Sequence, residues 1–215
     1  MYLKIIKIQL IDNQNNNKMK SRILSIITLL IIVFGITSFT YAAPVNNAVV
    51  TTLTDISAIN KIEVYGNVEL YISDGSTDQV KVYNQYYGER ALVQSVNGVL
   101  RISSYKSEKL VVWVTANDLR SISAYDNSEV KSFGNISKID FSVDLHNNAT
   151  AKLNLDTFST NVTLTDHAKA NLSGTATEFN LNHNYASSLN NYNFKAAHFT
   201  ENDTDGPAIL DIAGI

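Results

Sequence analysis

Residues 143–153, VDLHNNATAKL, are matched in pattern nineteen positions later by residues 162–172, VTLTDHAKANL. In both segments apolar or small residues occupy every second position, which is typical of a half-buried β-strand. A polar residue stands at the centre of each set, Asn147 in the first segment and Asp166 in the second. The residue two positions later is small in both, Ala149 and Ala168. This pattern predicts that successive turns of the chain lie one above another, with equivalent side chains in contact.

The same pattern extends through five segments between Leu119 and Ile212. Their central residues are Asp126, Asn147, Asp166, Tyr185 and Thr204, and the small residues two positions further on are Ser128, Ala149, Ala168, Ser187 and Gly206. Helical repeats are longer and do not alternate, so this repeat of about twenty residues predicts a parallel β-solenoid. The central Asp and Asn residues indicate a corner of each coil, because their side chains bond nearby backbone N–H groups and tolerate turn dihedrals.

Two regions precede the β-rich part of the chain. Residues 1–18 contain a run of Asn and Gln and do not resemble an export signal, so we interpret them as an over-extended start. Residues 19–42 begin at Met19, place basic residues ahead of an apolar run and end in Thr40-Tyr41-Ala42, which is the pattern of a cleavable signal peptide. A membrane anchor is the alternative interpretation of the apolar run. The sequence therefore predicts an exported protein that is periplasmic, at the cell surface or secreted, and free of the membrane after cleavage.

The charge of the exported part limits the classes of partner, and its cysteine content limits how it can be cross-linked or attached to lipid. Removing residues 1–42 takes away five of the 17 basic and one of the 20 acidic residues, which leaves a formal charge of −7. This acidity argues against nucleic acid and anionic membranes as partners. The chain has no cysteine, which excludes a disulfide framework and a lipid-bearing cysteine after the signal peptide.

The exported part divides into a less regular β section, residues 43–117, and the regular solenoid section, residues 118–215. The first section contains alternating runs separated by turn signals such as Asp74-Gly75 and Asn97-Gly98. No long segment has helical periodicity, so the whole chain is predicted to be all-β. No linker rich in Pro, Gly or Ser separates the sections, and we expect one continuous body.

The order of these alternating runs resembles a known family. The residues that carry the resemblance are Ile62, Val64, Gly66, Val68, Leu70, Ile72, Asp74-Gly75, Val80, Val82, Asn97-Gly98, Leu100, Ile102, Val112, Val114, Leu119, Ile122 and Ala124. They are similar to the head GIN domain auto-transporter adhesins, exported proteins of Bacteroidetes-type bacteria, over roughly residues 56–210. The resemblance implies a right-handed β-helix and an adhesin function, and it implies no catalytic residues. The family's corners are rich in Gly and Ser, whereas this chain has Asp126-Asn127-Ser128 and its equivalents.

A carbohydrate-active enzyme, either a polysaccharide lyase or a hydrolase, is the alternative function, because many such enzymes are β-helices. The last arginine is Arg120, ahead of the regular coils, and the later lysines are scattered along the sequence. Asp126 and Asp166 are two coils apart, about 10 Å at the usual strand spacing. A corner column explains both carboxylates without catalysis. We therefore predict a non-enzymatic protein with no catalytic residue and no cofactor.

Metal binding is predicted to be absent as well. His146, His167 and His183 occupy different positions relative to the central column, so they do not converge on one ion. A calcium site made by Asp126, Asn147 and Asp166 stays open as an alternative to a structural column, since oxygen ligands suit that ion.

The remaining functional hypothesis is surface recognition. The chain holds eleven tyrosines, and the row Glu63, Tyr65, Asn67, Glu69, Tyr71 predicts an outer patch that binds an envelope glycan or a surface protein. The alternative is that tyrosine simply suits the outer face of a strand. A homo-oligomer is a further hypothesis, because an apolar end near Ile209, Leu210 and Ile212 offers a surface for self-association.

Overall fold

The computed structural model describes residues 50–53, 56, 58–83 and 91–205. All of them belong to one compact unit, Ala48–Ile215. The predicted over-extended start, the signal peptide and the apolar end at residues 209–212 lie outside the described residues. Within those residues, no helix has the length and apolar character needed to cross a membrane.

The described part of the chain is all-β, which confirms the fold-class prediction at that level. Its strands are β1 Val50–Leu53, β2 Lys61–Gly66, β3 Val68–Asp74, β4 Gln79–Tyr83, β5 Ala91–Val96, β6 Val99–Ser104, β7 Leu110–Ala116, β8 Ser121–Ala124, β9 Glu129–Ser132, β10 Ile136–Leu145, β11 Thr150–Leu164, β12 Lys169–His183 and β13 Ser188–Asp203. No helix occurs among the described residues.

These strands form one mixed, strongly curled sheet in the order β1-β4-β7-β3-β9-β11-β10-β8-β2-β6-β5, with β12 beside β11 and β13 beside β12. The pairs β1–β4, β4–β7 and β5–β6 are antiparallel, and the other pairs are parallel. The sheet curls at β11, because the first residues of this strand pair with β9 and its later residues pair with β10. The sheet therefore has two limbs on either side of β11: one contains β10, β8, β2, β6 and β5, and the other contains β9, β3, β7, β4 and β1. The two limbs face each other across the core.

The register of the parallel pairs places equivalent residues of successive segments side by side. On one limb Ile62 pairs with Ile122, Ile122 with Val143, and Val143 with Val162. These side chains are fully buried. The alternation seen in the sequence is therefore the alternation between the core and the outer face. At roughly 25 cal/mol per Å² of apolar surface, burial of these columns is the main stabilising term.

The first β section contributes strands to the same stack. β2 pairs with β8 on one limb and β3 pairs with β9 on the other, both in parallel. On their other sides β2 pairs with β6 and β3 pairs with β7. Residues 61–74 therefore lie between residues 99–116 and residues 121–132. The division of the chain at residue 117 stays a prediction.

The fifth segment departs from the predicted register by one residue. Thr204 was predicted in the central column beside Tyr185, but Asp203 pairs with His183, so Asp205 takes that place. The cause is an irregularity in the β12–β13 pairing between Asn171 and Ser173, where β13 contains an additional residue. For the same reason Thr200 and Asn202 pair with Asn180 and Asn182, and the core columns continue at Glu201 instead. A one-residue insertion exchanges the two faces of everything that follows it.

Candidate functional site

The central column forms a ladder of corners with left-handed backbone. The φ angles are +81° at Gly66, +60° at Asp126, +59° at Asn147 and +58° at Asp166. Asn and Asp tolerate this conformation better than other residues with a side chain. The first corner of the ladder is a glycine, Gly66, because an added Cβ there would lie 2.2 Å from the Ser104 carbonyl oxygen. Tyr185, in the next segment, is not among the residues with positive φ.

Each corner side chain accepts a hydrogen bond from the backbone of the neighbouring corner. The Gly66 N–H donates to Asp126 Oδ2 at 3.0 Å, and the Asp126 N–H donates to Asn147 Oδ1 at 3.1 Å. The Asn147 N–H donates to Asp166 Oδ2 at 3.0 Å. The column is a structural device that satisfies backbone groups where the sheet is interrupted. Its carboxylates serve the corners, and this accounts for them without hydrolysis or calcium binding.

The described residues contain no group of three or more His, Cys, Asp or Glu side chains that is arranged to hold a metal ion. The histidines have separate surroundings. His146 stacks on Tyr125 and its Nδ1 lies 2.8 Å from Thr165 Oγ1. His183 Nε2 lies 2.9 Å from Glu201 Oε1.

The predicted tyrosine patch does not lie on one face. The corner at Gly66 places Glu63 and Tyr65 on β2 and places Glu69 and Tyr71 on β3, and these strands belong to different limbs. Between them, Asn67 Nδ2 donates to the carbonyl oxygens of Lys106 and Ser107. The predicted row is therefore split by a corner into a first half-patch, Glu63 and Tyr65, and a second half-patch, Glu69 and Tyr71.

The first half-patch continues into a stack of flat rings along one edge of the corners. The rings of Tyr65 and Tyr125 are 4.7 Å apart and 4° from parallel. Those of Tyr125 and His146 are 4.6 Å apart and 5° from parallel. Residues far apart in sequence meet here because parallel in-register strands place equivalent positions side by side.

The second half-patch belongs to a cluster of four aromatic side chains, which we call the aromatic cluster: Tyr71, Tyr83, Trp113 and Phe133. Trp113 stacks on Tyr71 with ring centroids 4.6 Å apart. Phe133 and Tyr83 lie at 5.3 Å and 6.3 Å from Trp113, both tilted by 56°. Phe133 is 64% exposed. A cluster of this kind on the outer face of a sheet presents rigid apolar area to a partner.

Charged side chains surround the aromatic cluster. The Lys131 ammonium lies 2.7 Å from Glu69 and from Glu129, and 5.6 Å from the centroid of the Tyr71 ring. The hydrogen bond from Lys131 lowers the pKa of Glu69 and the pKa of Glu129, against the opposing effect of partial burial. The same bonds, first to Glu129 and then to Glu69, raise the pKa of Lys131. Lys109 extends the network with a 3.0 Å contact to Glu129.

A second charged group lies on the other limb. Glu63 accepts hydrogen bonds from Nε and Nη2 of Arg101, at 3.0 and 2.8 Å, and lies 3.0 Å from Lys61. Partial burial alone would raise the pKa of Glu63, but the hydrogen bonds from Arg101 and Lys61 outweigh it and lower the pKa. A shallow depression of about 330 Å³ lies beside this group, lined in part by Gln94 and Asn97.

The sequence interpretation missed Trp113, the single tryptophan of the chain. A signal for it was present, because Trp113 falls on the outward position of the alternating run Leu110, Val112, Val114. Tryptophan is enriched at recognition surfaces, so an outward tryptophan is a candidate contact residue. Its ring partners Tyr71, on β3, and Phe133, after β9, come from other segments and were not predictable from spacing.

The fold and this surface define an all-β scaffold with aromatic and charged clusters on its outer faces. A family model described as "Putative auto-transporter adhesin, head GIN domain" matches residues 58–206. The chain belongs to this family, and the resemblance seen in the sequence is confirmed. No match is found among curated proteins.

Solved structures share the fold at low sequence identity. A "putative adhesin" from Bacteroides fragilis NCTC 9343 is 16% identical, with a TM-score of 0.64 over 72% of this chain and 76% of that chain. A "putative adhesin" from Parabacteroides merdae ATCC 43184 is 13% identical, with a TM-score of 0.52 over 74% and 78%. A "putative lipid binding protein" from Parabacteroides distasonis ATCC 8503 is 10% identical, with a TM-score of 0.55 over 74% and 79%. At these identities the likeness concerns the fold.

Proposed function

We propose that this protein is an exported, non-enzymatic, adhesin-like module that binds an envelope glycan or a surface protein on the outer face of a right-handed β-solenoid. Family membership and the parallel, in-register stack of segments support this proposal. The stack provides long, rigid outer faces whose side chains recur at the spacing of the strands, about 4.8 Å. Such faces are common binding surfaces in solenoid proteins.

The aromatic cluster is the observation that carries the proposal. It places the chain's one tryptophan outside the core, in contact with Tyr71, Tyr83 and Phe133. Tyr, Trp and Phe are enriched at recognition surfaces, because they supply large contact area at a small cost in side-chain entropy. The charges of Lys131, Glu69 and Glu129 beside it provide polar contacts at the rim.

The non-enzymatic character rests on the roles of the carboxylates. Asp126 and Asp166 accept backbone hydrogen bonds, and Glu63, Glu69 and Glu129 are held in ion pairs. Each of these groups has a structural partner, and none of the observed contacts pairs two of them across a cleft as glycoside hydrolysis requires.

The test is binding of the full chain to immobilised envelope polysaccharides and surface proteins, measured by biolayer interferometry. We expect the double variant Tyr71→Ala/Trp113→Ala to bind about tenfold more weakly, since central aromatic residues dominate such surfaces. The control is Tyr192→Ala, which removes a tyrosine that is 90% exposed and has no ring contact among the described residues. Equal binding by the wild type and the double variant, with both folded by circular dichroism, would contradict the proposal.

A further inference from the structure

Two lysines that are separate in sequence lie on adjacent strands of the limb that carries the aromatic cluster. Lys152 on β11 pairs in register with Lys131 on β9 and with Asn171 on β12. Lys169 on β12 pairs with Thr150 on β11 and with Ser188 on β13. Lys152 and Lys169 are therefore diagonal neighbours on adjacent strands. Both are exposed.

A shallow groove of about 320 Å³ lies between these strands, and both lysines line it. Its polar lining also includes Thr150, Asn171, Ser188 and Asn190. We call this feature the lysine groove. Glu129 on β9 also lines the groove, and its ion pairs with Lys109 and Lys131 link the groove to the charged side chains around the aromatic cluster.

The charges in the lysine groove are unequal. Lys131 is bound to Glu69 and Glu129, whereas Lys152 and Lys169 form no ion pair or side-chain hydrogen bond within the described part of the chain. Of the described residues that line the groove, Glu129 alone is acidic, and Lys109 and Lys131 already neutralise it. The groove is thus locally positive on a protein with a formal charge of −3.

The neutral lining supplies hydrogen-bonding groups suited to hydroxyls. The amides of Asn171 and Asn190 and the hydroxyls of Thr150 and Ser188 lie on the same outer face as the lysines. The row Lys131, Lys152, Asn171, Asn190 crosses four neighbouring strands, which is about 14 Å at ~4.8 Å per strand. An open strip of this length fits an extended chain better than an enclosed small molecule.

We propose that the lysine groove binds an anionic glycan, with the carboxylate or sulfate groups of the polysaccharide at Lys152 and Lys169 and its hydroxyls at the neighbouring amides. This inference rests on the proposed binding function and names its ligand class. Charge attraction in an open groove raises the association rate and selects acidic over neutral chains, while the hydroxyl contacts require a sugar. Binding weakens as salt screens the two ammonium groups.

The experiment is titration calorimetry of the full chain with four probes: polygalacturonate oligosaccharides, chondroitin sulfate oligosaccharides, dextran and polyglutamate. The first two separate carboxylate from sulfate recognition, dextran tests neutral sugar, and polyglutamate tests charge without sugar. The variants are Lys152→Gln, Lys169→Gln and the double variant. The matched control is Lys195→Gln, because this exposed lysine of β13 pairs in register with Thr175 and lies outside the groove.

We expect one of the two anionic glycans to bind, and the double variant to lose about tenfold or more in affinity. Lys195→Gln should bind like the wild type. Absence of binding to both anionic glycans, unchanged binding by the double variant, or equal binding of polyglutamate would each overturn the lysine groove as an anionic-glycan site. If dextran or a surface protein still binds and Tyr71→Ala/Trp113→Ala weakens it, the proposed function stands without this inference. If no probe, polysaccharide or surface protein binds, both proposals fall.

Discussion

Asn147 explains why a polar residue stands inside an apolar segment. Its backbone has φ +59°, a conformation that costs an alanine about 1 kcal/mol or more. Its side-chain Oδ1 also accepts a hydrogen bond from the Asp126 N–H, and its own backbone N–H donates one to Asp166 Oδ2. One residue therefore meets two requirements of a corner, the left-handed backbone and the hydrogen bond to the neighbouring segment.

Two substitutions at Asn147 separate these requirements. Asn147→Ala loses both, and we expect a loss of about 2 kcal/mol in the free energy of unfolding. Asn147→Gly keeps the backbone conformation and loses only the side-chain hydrogen bonds to Asp126 and Asp166, so its cost should be smaller, about 1 kcal/mol. Urea denaturation measures both. Equal costs for the two variants would show that the left-handed backbone contributes nothing to the choice of residue.

At the scale of the elements, three strands are joined by charges on their outer faces. Lys131 on β9 contacts Glu69 on β3, and Glu129 contacts Lys109, which directly precedes β7. Exposed pairs contribute little individually, but these side chains are only 18% to 41% exposed and form a network. These strands are consecutive in the sheet in the order β7-β3-β9, although β4, β5 and β6 separate β3 from β7 in sequence and β8 separates β7 from β9.

The network predicts a specific dependence of stability on pH. The pKa values of Glu69 and Glu129 are lowered in the folded protein by hydrogen bonds from Lys131. Carboxylates with lowered pKa values stabilise the fold above their unfolded pKa, and this contribution is lost as the pH falls through the lowered values. We expect Lys131→Met to reduce stability at pH 7 and to flatten its decline below pH 4.5.

Urea midpoints between pH 7 and pH 2.5 provide the measurement. Lys195→Met is the control, since no ion pair of Lys195 is found within the described residues. If the stability of Lys131→Met declines below pH 4.5 as steeply as that of the wild type, other carboxylates cause the loss of stability in acid.

For the molecule as a whole, β13 is the outermost described strand beside β12, and it carries acidic side chains. The insertion in β13 places Glu201 beside Leu181 and Asp203 beside His183, at positions that continue the core columns. Glu201 and Asp203 are exposed. Charges on the outermost described strand oppose pairing with a second copy, because association would bury them.

The double variant Glu201→Leu/Asp203→Leu removes this protection. We expect a concentration-dependent rise in molar mass, measured by light scattering coupled to size-exclusion chromatography. The control Asn202→Leu adds an apolar residue to the outward position of the same strand, opposite Asn182, and should leave the mass unchanged. A double variant with the mass of the wild type at all concentrations would refute a protective role for these charges.

The sequence by itself determined the inner faces of the segments around Val143 and Val162 and the corners at Asp126, Asn147 and Asp166, because alternation and turn chemistry are local properties of the chain. This is why Val143, Val162 and Asn147 were assigned correctly. The tertiary structure alone decided which segments are neighbours. It inserted residues 61–74 between two later segments and shifted Thr204 out of its column. It also gathered Trp113 with its ring partners and Lys152 with Lys169. Neighbours in a sheet are chosen by burial across the whole stack and by connections between distant segments, and no local pattern records that choice.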